Sequence, residues 1–263
     1  MKKNLSVVLP TLNEFENLKI LVPKLEEIFI NKDFEKYEII VVDDGSTDNS
    51  VDLINEFSKK NQNIKILSRI SNPSLPLSIW DGVNKADCEN VMWLDADGSM
   101  HIEAVKELIT SYFLTQKVTI GSRFVDGGGY KGVTELNNKS FLKAVLNVRK
   151  SEDSVLGMIV SILFNKLLNL ILKSEVKDLT SGFIIIKKTY LSKSLFENSS
   201  YGEYFLNIVT NLMKSNVPIE EIGYICETRK YGKSKTASSI FQLISRGIPY
   251  LTTAYKCRVE LKL

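Results

Sequence analysis

Two acidic pairs in this chain stand out by their spacing. Asp95 and Asp97 lie one residue apart in LDADGS, directly after an apolar run and before Gly98. Carboxylates placed this way can both address a hard divalent cation. Mg2+ takes one or two carboxylates and completes its shell with water or phosphate oxygens. The second pair, Asp43-Asp44, also ends an apolar run and precedes Gly45-Ser46. A carboxylate there can accept hydrogen bonds from a base N–H or ribose hydroxyls; the same four residues would equally make a β-turn. Positive charge gathers in RKYGKSK (229–235), with four cations in seven residues. Such a run is ordinary in a solvated loop, and it also suits a diphosphate or lipid phosphate. Arg123, in GSRF, is a second candidate phosphate clamp.

Other stretches exclude more than they offer. GGGYKG (127–132) fits a dinucleotide-loop pattern, but no apolar helix starts at its end. The dinucleotide reading fails on that context, and a mobile loop over a site is expected instead. His101 is the single histidine, which rules out zinc clusters and most histidine triads; it is expected at the surface beside the acidic turn. The three cysteines are scattered, so neither a disulfide framework nor a metal set is expected, and a reducing cytosol fits. The N-terminus, MKKNLSVVLP, reads as a strand rather than a signal peptide. In PTLNE, Asn13 reads as a helix N-cap. A net charge of +3 is too small to argue for nucleic acid.

The elements that must hold these groups alternate. Apolar runs at 5–9, 38–42, 64–67, 91–94 and 118–120 read as strands, and helical spacing falls at 14–29, 51–59, 77–86 and 103–114. Strands apolar throughout, alternating with amphipathic helices, imply a mostly parallel α/β sheet covered on both faces. Ligands in such sheets sit beyond the carboxyl ends of the strands, where both acidic pairs fall. Residues 223–227 read as a late strand. With 263 residues, one catalytic domain over 1–236 and a helical tail over 237–263 are expected. The most apolar stretch, 154–173, carries Ser161, Asn165, Lys166, Asn169 and Lys173 on one stripe. Asparagines and a lysine at mid-depth argue against a span and for a helix lying in a membrane interface. The tail is built similarly, with Pro249 as an expected kink. Packing of both helices on the domain or on a second subunit is the competing expectation.

Taken in order, VVLPTLNEFENL (7–18), EIIVVDDGSTDNS (38–50), LDADGSMHIE (94–103), GSRFVDGGG (121–129), TSGF (180–183) and RKYGKSK resemble the family-two glycosyltransferases. Within that family they are similar to the dolichyl- or polyprenyl-phosphate sugar transferases. The resemblance implies a GT-A fold and an inverting transfer from a GDP- or UDP-linked sugar to a polyprenyl phosphate. It implies that Pro10, Leu12, Glu14, Val42 and Asp44 hold the nucleoside. Asp95, Ala96 and Asp97, with Ser99, would carry Mg2+ or Mn2+. Arg123, Arg229 and Lys235 would grip the phosphates, and TSGF would line the sugar pocket. The implied setting is peripheral, on the cytosolic membrane face, alone, as a homo-oligomer or with a membrane-protein partner. Four positions depart from the family pattern: Leu12 for tyrosine, Ser99 for glutamine, and Gly157 and Ile184 for arginines. A lipid phosphate, with a second pKa of about 6, attacks as a dianion without a general base. Alternative readings are transfer to a glycan or protein hydroxyl, which needs such a base, and an inactive scaffold of the same fold.

Overall fold

In the computed structural model, which describes residues 3–31, 34–69, 72–130, 155–227, 231 and 240–262, strand and helix alternate through the first half. The order is β1 (Lys3–Thr11), α1 (Phe15–Ile30), β2 (Phe34–Asp43), α2 (Ser50–Lys60), β3 (Ile64–Ser68) and α3 (Leu75–Lys85). Then come β4 (Asn90–Trp93), α4 (Ile102–Thr115), β5 (Val118–Ser122) and the short β6 (Gly129–Tyr130). The second half holds α5 (Val155–Leu172), β7 (Ile184–Lys187), α6 (Tyr204–Lys214), β8 (Ile219–Gly223), β9 (Ile225–Cys226) and α7 (Ile240–Glu260).

The main sheet runs β3-β2-β1-β4-β7-β5-β8, and β6 pairs with β9 in a second, two-stranded sheet. β1 is parallel to β2 and β4, β2 to β3, and β5 to β8; β7 alone runs antiparallel between β4 and β5. The sheet is mostly parallel, as expected, and its antiparallel member is β7. Its FIIIK run has the apolar signature of any buried strand, and direction leaves no local mark. Helix α6 carries no motif and was not anticipated, although its apolar spacing is regular. The expected 223–227 strand is two strands, β8 and β9, broken at Tyr224.

Side-chain alternation assigns the two faces. Leu5, Val7 and Leu9 of β1, with Met92 of β4 and Ile185 of β7, pack under α1 and α4. Val8, Val91, Trp93, Ile184 and Ile186 face the other way, onto α3, α5, α6 and α7. At Gly82 of α3 a Cβ would stand 2.4 Å from Val8 and 2.8 Å from Val42. Only glycine lets this helix lie so close on the sheet. The C-terminal helix belongs to the same core: Ala254 is fully buried and Cys257 is 3% exposed.

A buried carboxylate ties the start of this sheet together. Glu38 of β2, 1% exposed, accepts from Ser6 Oγ, from the Asp87 backbone N–H at 2.6 Å and from Lys65 Nζ at 2.5 Å. Burial raises its carboxyl pKa, but the bonds from Lys65, Ser6 and Asp87 outweigh it and hold the group below its usual value. A carboxyl depressed in the folded state stabilises above its unfolded pKa, about 4.3, and loses that contribution as pH falls through its folded value. Glu38→Gln should cost about 1.5–3 kcal/mol at neutral pH by urea unfolding. The gap to wild type should narrow below about pH 4. A gap of equal size at low and neutral pH would contradict this account.

Candidate active site

The carboxyl ends of β1, β2 and β4 place three expected segments side by side. Register sets Pro10 beside Val42 and Thr11 beside Asp43. The Asp44 N–H donates to Thr11 O at 2.9 Å. The loop after β1 is locked to the turn after β2. Asn13, with φ of 56°, accepts from the Thr47 N–H at 2.7 Å, and its own N–H donates to Ser46 Oγ at 2.8 Å. It is therefore a cross-loop clasp rather than the expected N-cap. Glu14 holds the cap position of α1; its N–H donates to Ser50 Oγ at 3.2 Å, and the Phe15 N–H donates to Asp48 at 3.1 Å.

The two aspartates after β2 divide their tasks. Asp43 closes the turn, accepting from the N–H groups of Gly45 and Ser46. Asp44, its side chain 7% exposed, forms an ion pair with Arg69 Nη1, whose side chain is 5% exposed. Its other oxygen accepts from the Ser74 N–H at 2.6 Å, at the start of α3. Arg69 Nε also donates to Asp81 at 2.8 Å. Sequence reading missed Arg69, although it directly follows β3, at the same sheet edge where the aspartates were sought.

The turn after β4 carries Asp95, Ala96 and Asp97. Asp95 is half-buried; Ala96 and Asp97 are 3% and 4% exposed. Asp97 Oδ1 accepts from the Ser99 N–H at 2.9 Å, and Gly98 takes φ of +77° to complete the turn. Strand β9 pins the far side: Met100 bridges to Cys226, and the Glu227 N–H donates to Ser99 O at 2.9 Å. His101 lies half-buried beside the acidic turn. It caps α4, its Nδ1 accepting from the Ala104 N–H at 3.1 Å.

Arg123, following β5, donates from Nε and Nη2 to the two oxygens of Asp178 at 2.8 and 2.7 Å. Nη2 also reaches Thr180 Oγ1 at 2.8 Å. The rings of Phe124 and Tyr130 flank the guanidinium at 5.3 and 5.7 Å. Burial opposes its charge, but the charge and hydrogen bonds of Asp178 prevail and hold its pKa well above the usual value. Two corners of the fork are thus engaged; Nη1 donates to no other group among the described residues. Asp178 was not expected, since a lone aspartate two residues before TSGF carries no pattern.

Cys226 marks where these parts meet. Burial pushes its thiol up to about 11; Arg123 pulls it down, and Asp97, Asp95 and Asp178 add upward pressure. Strand β9 links the two parts in space: Cys226 bridges to Met100 after the acidic turn and pairs with Tyr130, whose ring flanks Arg123. The start of the glycine stretch is held there too. Gly129 donates to Tyr224 O at 3.0 Å, and a Cβ on Gly223 would stand 2.2 Å from Asp126 O. Residues 131 and 132 lie outside the described residues, as do Arg229 and Lys235. Tyr231, from the same basic run, lines a cavity of about 250 Å³ with Asn13, Glu14, Phe15, Asn17 and Asp48.

This mostly parallel α/β sheet, with acidic turns gathered beyond its strand ends, has the GT-A fold. Glucosyl-3-phosphoglycerate synthase of Mycobacterium tuberculosis, solved with Mn2+, UDP and phosphoglyceric acid, superposes with a TM-score of 0.62 at 17% identity, covering 97% of this chain and 78% of that one. The family model "Glycosyl transferase family 2" matches residues 6–195, and the chain belongs to that family. It is 28% identical over 183 residues to a dolichol-phosphate mannosyltransferase of Pyrococcus furiosus, covering 70% of this chain and 46% of the relative. A dolichol-phosphate mannosyltransferase of Mycosarcoma maydis is 30% identical over 122 residues, covering 45% of this chain and 42% of the relative. The chain thus spans less than half the length of these two curated relatives.

The Asp44–Arg69 pair is testable by stability alone. Arg69→Met leaves a buried carboxylate without its countercharge and should cost about 3–5 kcal/mol in urea unfolding. Adding Asp44→Asn should recover part of that loss. An unchanged midpoint in the single variant would show the pair to be idle.

Proposed function

We propose that this protein is a metal-dependent, inverting glycosyltransferase moving a sugar from a nucleoside-diphosphate donor to a polyprenyl-type lipid phosphate. The observation that carries the reading is the gathering of the Asp95/Asp97 turn and the Arg123 guanidinium around β9. Asp95 and Asp97, with the Ser99 hydroxyl, form a hard oxygen donor set suited to Mg2+ or Mn2+, whose shell the diphosphate would complete. Such an ion, when bound, neutralises the charge of the departing nucleoside diphosphate. The synthase solved with Mn2+ and UDP on the same fold is in keeping with a metal at such a site. Pro10, Leu12, Glu14, Val42 and Asp44 would frame the nucleoside. Arg123 would present Nη1 to a phosphate, with Arg229 and Lys235 supplying the remaining cations.

The state of two acids favours a phosphate acceptor. An alcohol acceptor needs a carboxylate to take its proton. Asp178 is spent on Arg123. Glu203, 2% exposed, accepts from the backbone N–H and the hydroxyl of Ser200 and from the Tyr201 N–H. A phosphate dianion attacks the anomeric carbon unaided, so neither acid has to be released. The dolichol-phosphate mannosyltransferases among the relatives favour the same acceptor class. A panel of UDP- and GDP-sugars, scored by thermal shift with Mn2+ and then by turnover with and without EDTA, tests the donor. Asp97→Asn should bring metal-dependent nucleotide binding below detection and keep a cooperative unfolding transition. Full activity of this variant with Mg2+ would overturn the metal reading.

A membrane surface is the proposed place of work. No described helix is long and apolar enough to cross a bilayer. The polar stripe of α5 is divided: Asn165 is 2% exposed and Asn169 donates to Lys177 O, whereas Lys166 and Lys173 are exposed. The outer face carries Val160, Leu163, Leu167 and Leu170, exposed between 38% and 73%. Exposed Lys166 and Lys173 flank it. α7 adds exposed Ile248, Tyr255 and Val259 beside exposed Lys256. Apolar side chains rimmed by lysines match an anionic leaflet. Because Ala254 and Cys257 lie in the core, removing the tail would damage the fold, and surface substitutions are the cleaner test. Co-sedimentation with phosphatidylglycerol-containing liposomes should fall at least about tenfold in Leu163→Glu/Leu170→Glu, with unchanged thermal stability. Unchanged binding, or a wild-type dimer that this variant dissolves, would overturn the membrane assignment.

A further inference from the structure

The inward stripe of α5 ends on the loop that holds Arg123. Asn165 spends both ends of its amide there: Nδ2 donates to Thr180 Oγ1 at 2.8 Å, and Oδ1 accepts from the Leu179 N–H at 2.9 Å. Thr180 Oγ1 also accepts from Arg123 Nη2 at 2.8 Å and points its own proton at Asp178 Oδ1, 3.3 Å away. One hydroxyl oxygen therefore takes two N–H donors and gives one bond, which uses its full capacity. The loop has a second, independent anchor. Glu221 of β8 accepts from the N–H groups of Lys177 and Asp178 at 2.7 and 3.0 Å. Losing Asn165 would loosen the loop at one end without releasing it from the sheet.

We propose that Asn165 is a positioning residue: acting through Thr180, it orients the Arg123 guanidinium so that Nη1 meets the diphosphate of a bound nucleotide. Asp178 alone fixes the plane of the guanidinium but sits on a loop. Thr180, anchored to a helix, fixes where that plane lies. A tilted or displaced fork would still pair with Asp178 and would miss the phosphate, since bidentate recognition tolerates little misplacement. The inference rests on the diphosphate role of Arg123 given above, and the experiment separates the two.

UDP and GDP are titrated by calorimetry in the presence of Mn2+ into the full chain and its variants. Asn165→Leu and Thr180→Val should each weaken the bound nucleotide about tenfold, and Thr180→Ser, which keeps the hydroxyl, should restore near-wild-type affinity. In an Arg123→Ala background, Asn165→Leu should cost nothing further, because the group it positions is gone. A merely structural Asn165 would lower the unfolding temperature and leave nucleotide affinity intact, or would add to the Arg123→Ala loss; either result overturns the proposal. Wild-type affinity in Arg123→Ala would overturn the diphosphate role itself. Binding of neither nucleotide to the wild type would overturn the donor reading and this inference with it.

Discussion

The ion pair between Arg123 and Asp178 is the constraint around which the second half of the chain is arranged. Asp178 has no exposed surface and Arg123 little, and a charge so placed is stable only beside its partner. The pair obliges the loop before β7 to sit against the end of β5. That loop in turn fixes the antiparallel entry of β7, the only strand of the main sheet running against its neighbours. Helix α5 then packs where Asn165 can reach the same loop, and α7 packs on α5 through the Phe164–Tyr250 ring contact. A single buried charge thus links the sheet edge, the loop and two helices. Among the described residues, the same interactions engage Nε and Nη2 of the guanidinium, while Nη1 donates to no other group.

The first half depends on a different device. β1, β2 and β4 end together; side chains of the turns after β1 and β2 bond backbone groups of neighbouring segments, and the turn after β4 is held by the backbone of β9. Asn13 clasps the turn after β2, Asp44 reaches the start of α3, and β9 crosses to hold Ser99 and Met100. The carboxylates of the site are therefore presented by turns that are already tied down before any ligand arrives. Preorganisation of this kind lets donor groups face a developing charge with little rearrangement. The exposed apolar side chains of α5 and α7 stand apart from this arrangement: among the described residues nothing covers them, and Lys166, Lys173 and Lys256 lie exposed beside them.

Much of this was legible in the residues. Apolar runs alternating with helical spacing specify a covered α/β sheet, because burial on both faces demands continuous apolar strands. The strand-end rule then singled out Asp43, Asp44, Asp95 and Asp97. Most boundaries in the first half shifted by a residue or two, while β2 begins four residues before its apolar run, as hydrogen-bonded termini extend past it. The reading of α5 went wrong at a specific point. Its polar stripe has the right residues for water, and only the position of Thr180 and Leu179 turns Asn165 inward.

What the sequence determined alone is whatever repeats at short range: strand and helix periods, turn chemistry at Gly98 and Asp43, and the order of motifs that marks family membership. The tertiary structure decided everything that needs two distant segments. It paired Asp178 with Arg123 across 55 residues and Asp44 with Arg69 across 25. It reversed β7, and it chose which face of α5 is buried. The physical reason is that periodicity is written in neighbouring residues, whereas a buried charge or amide is satisfied by whichever partner the packed chain brings within hydrogen-bond distance.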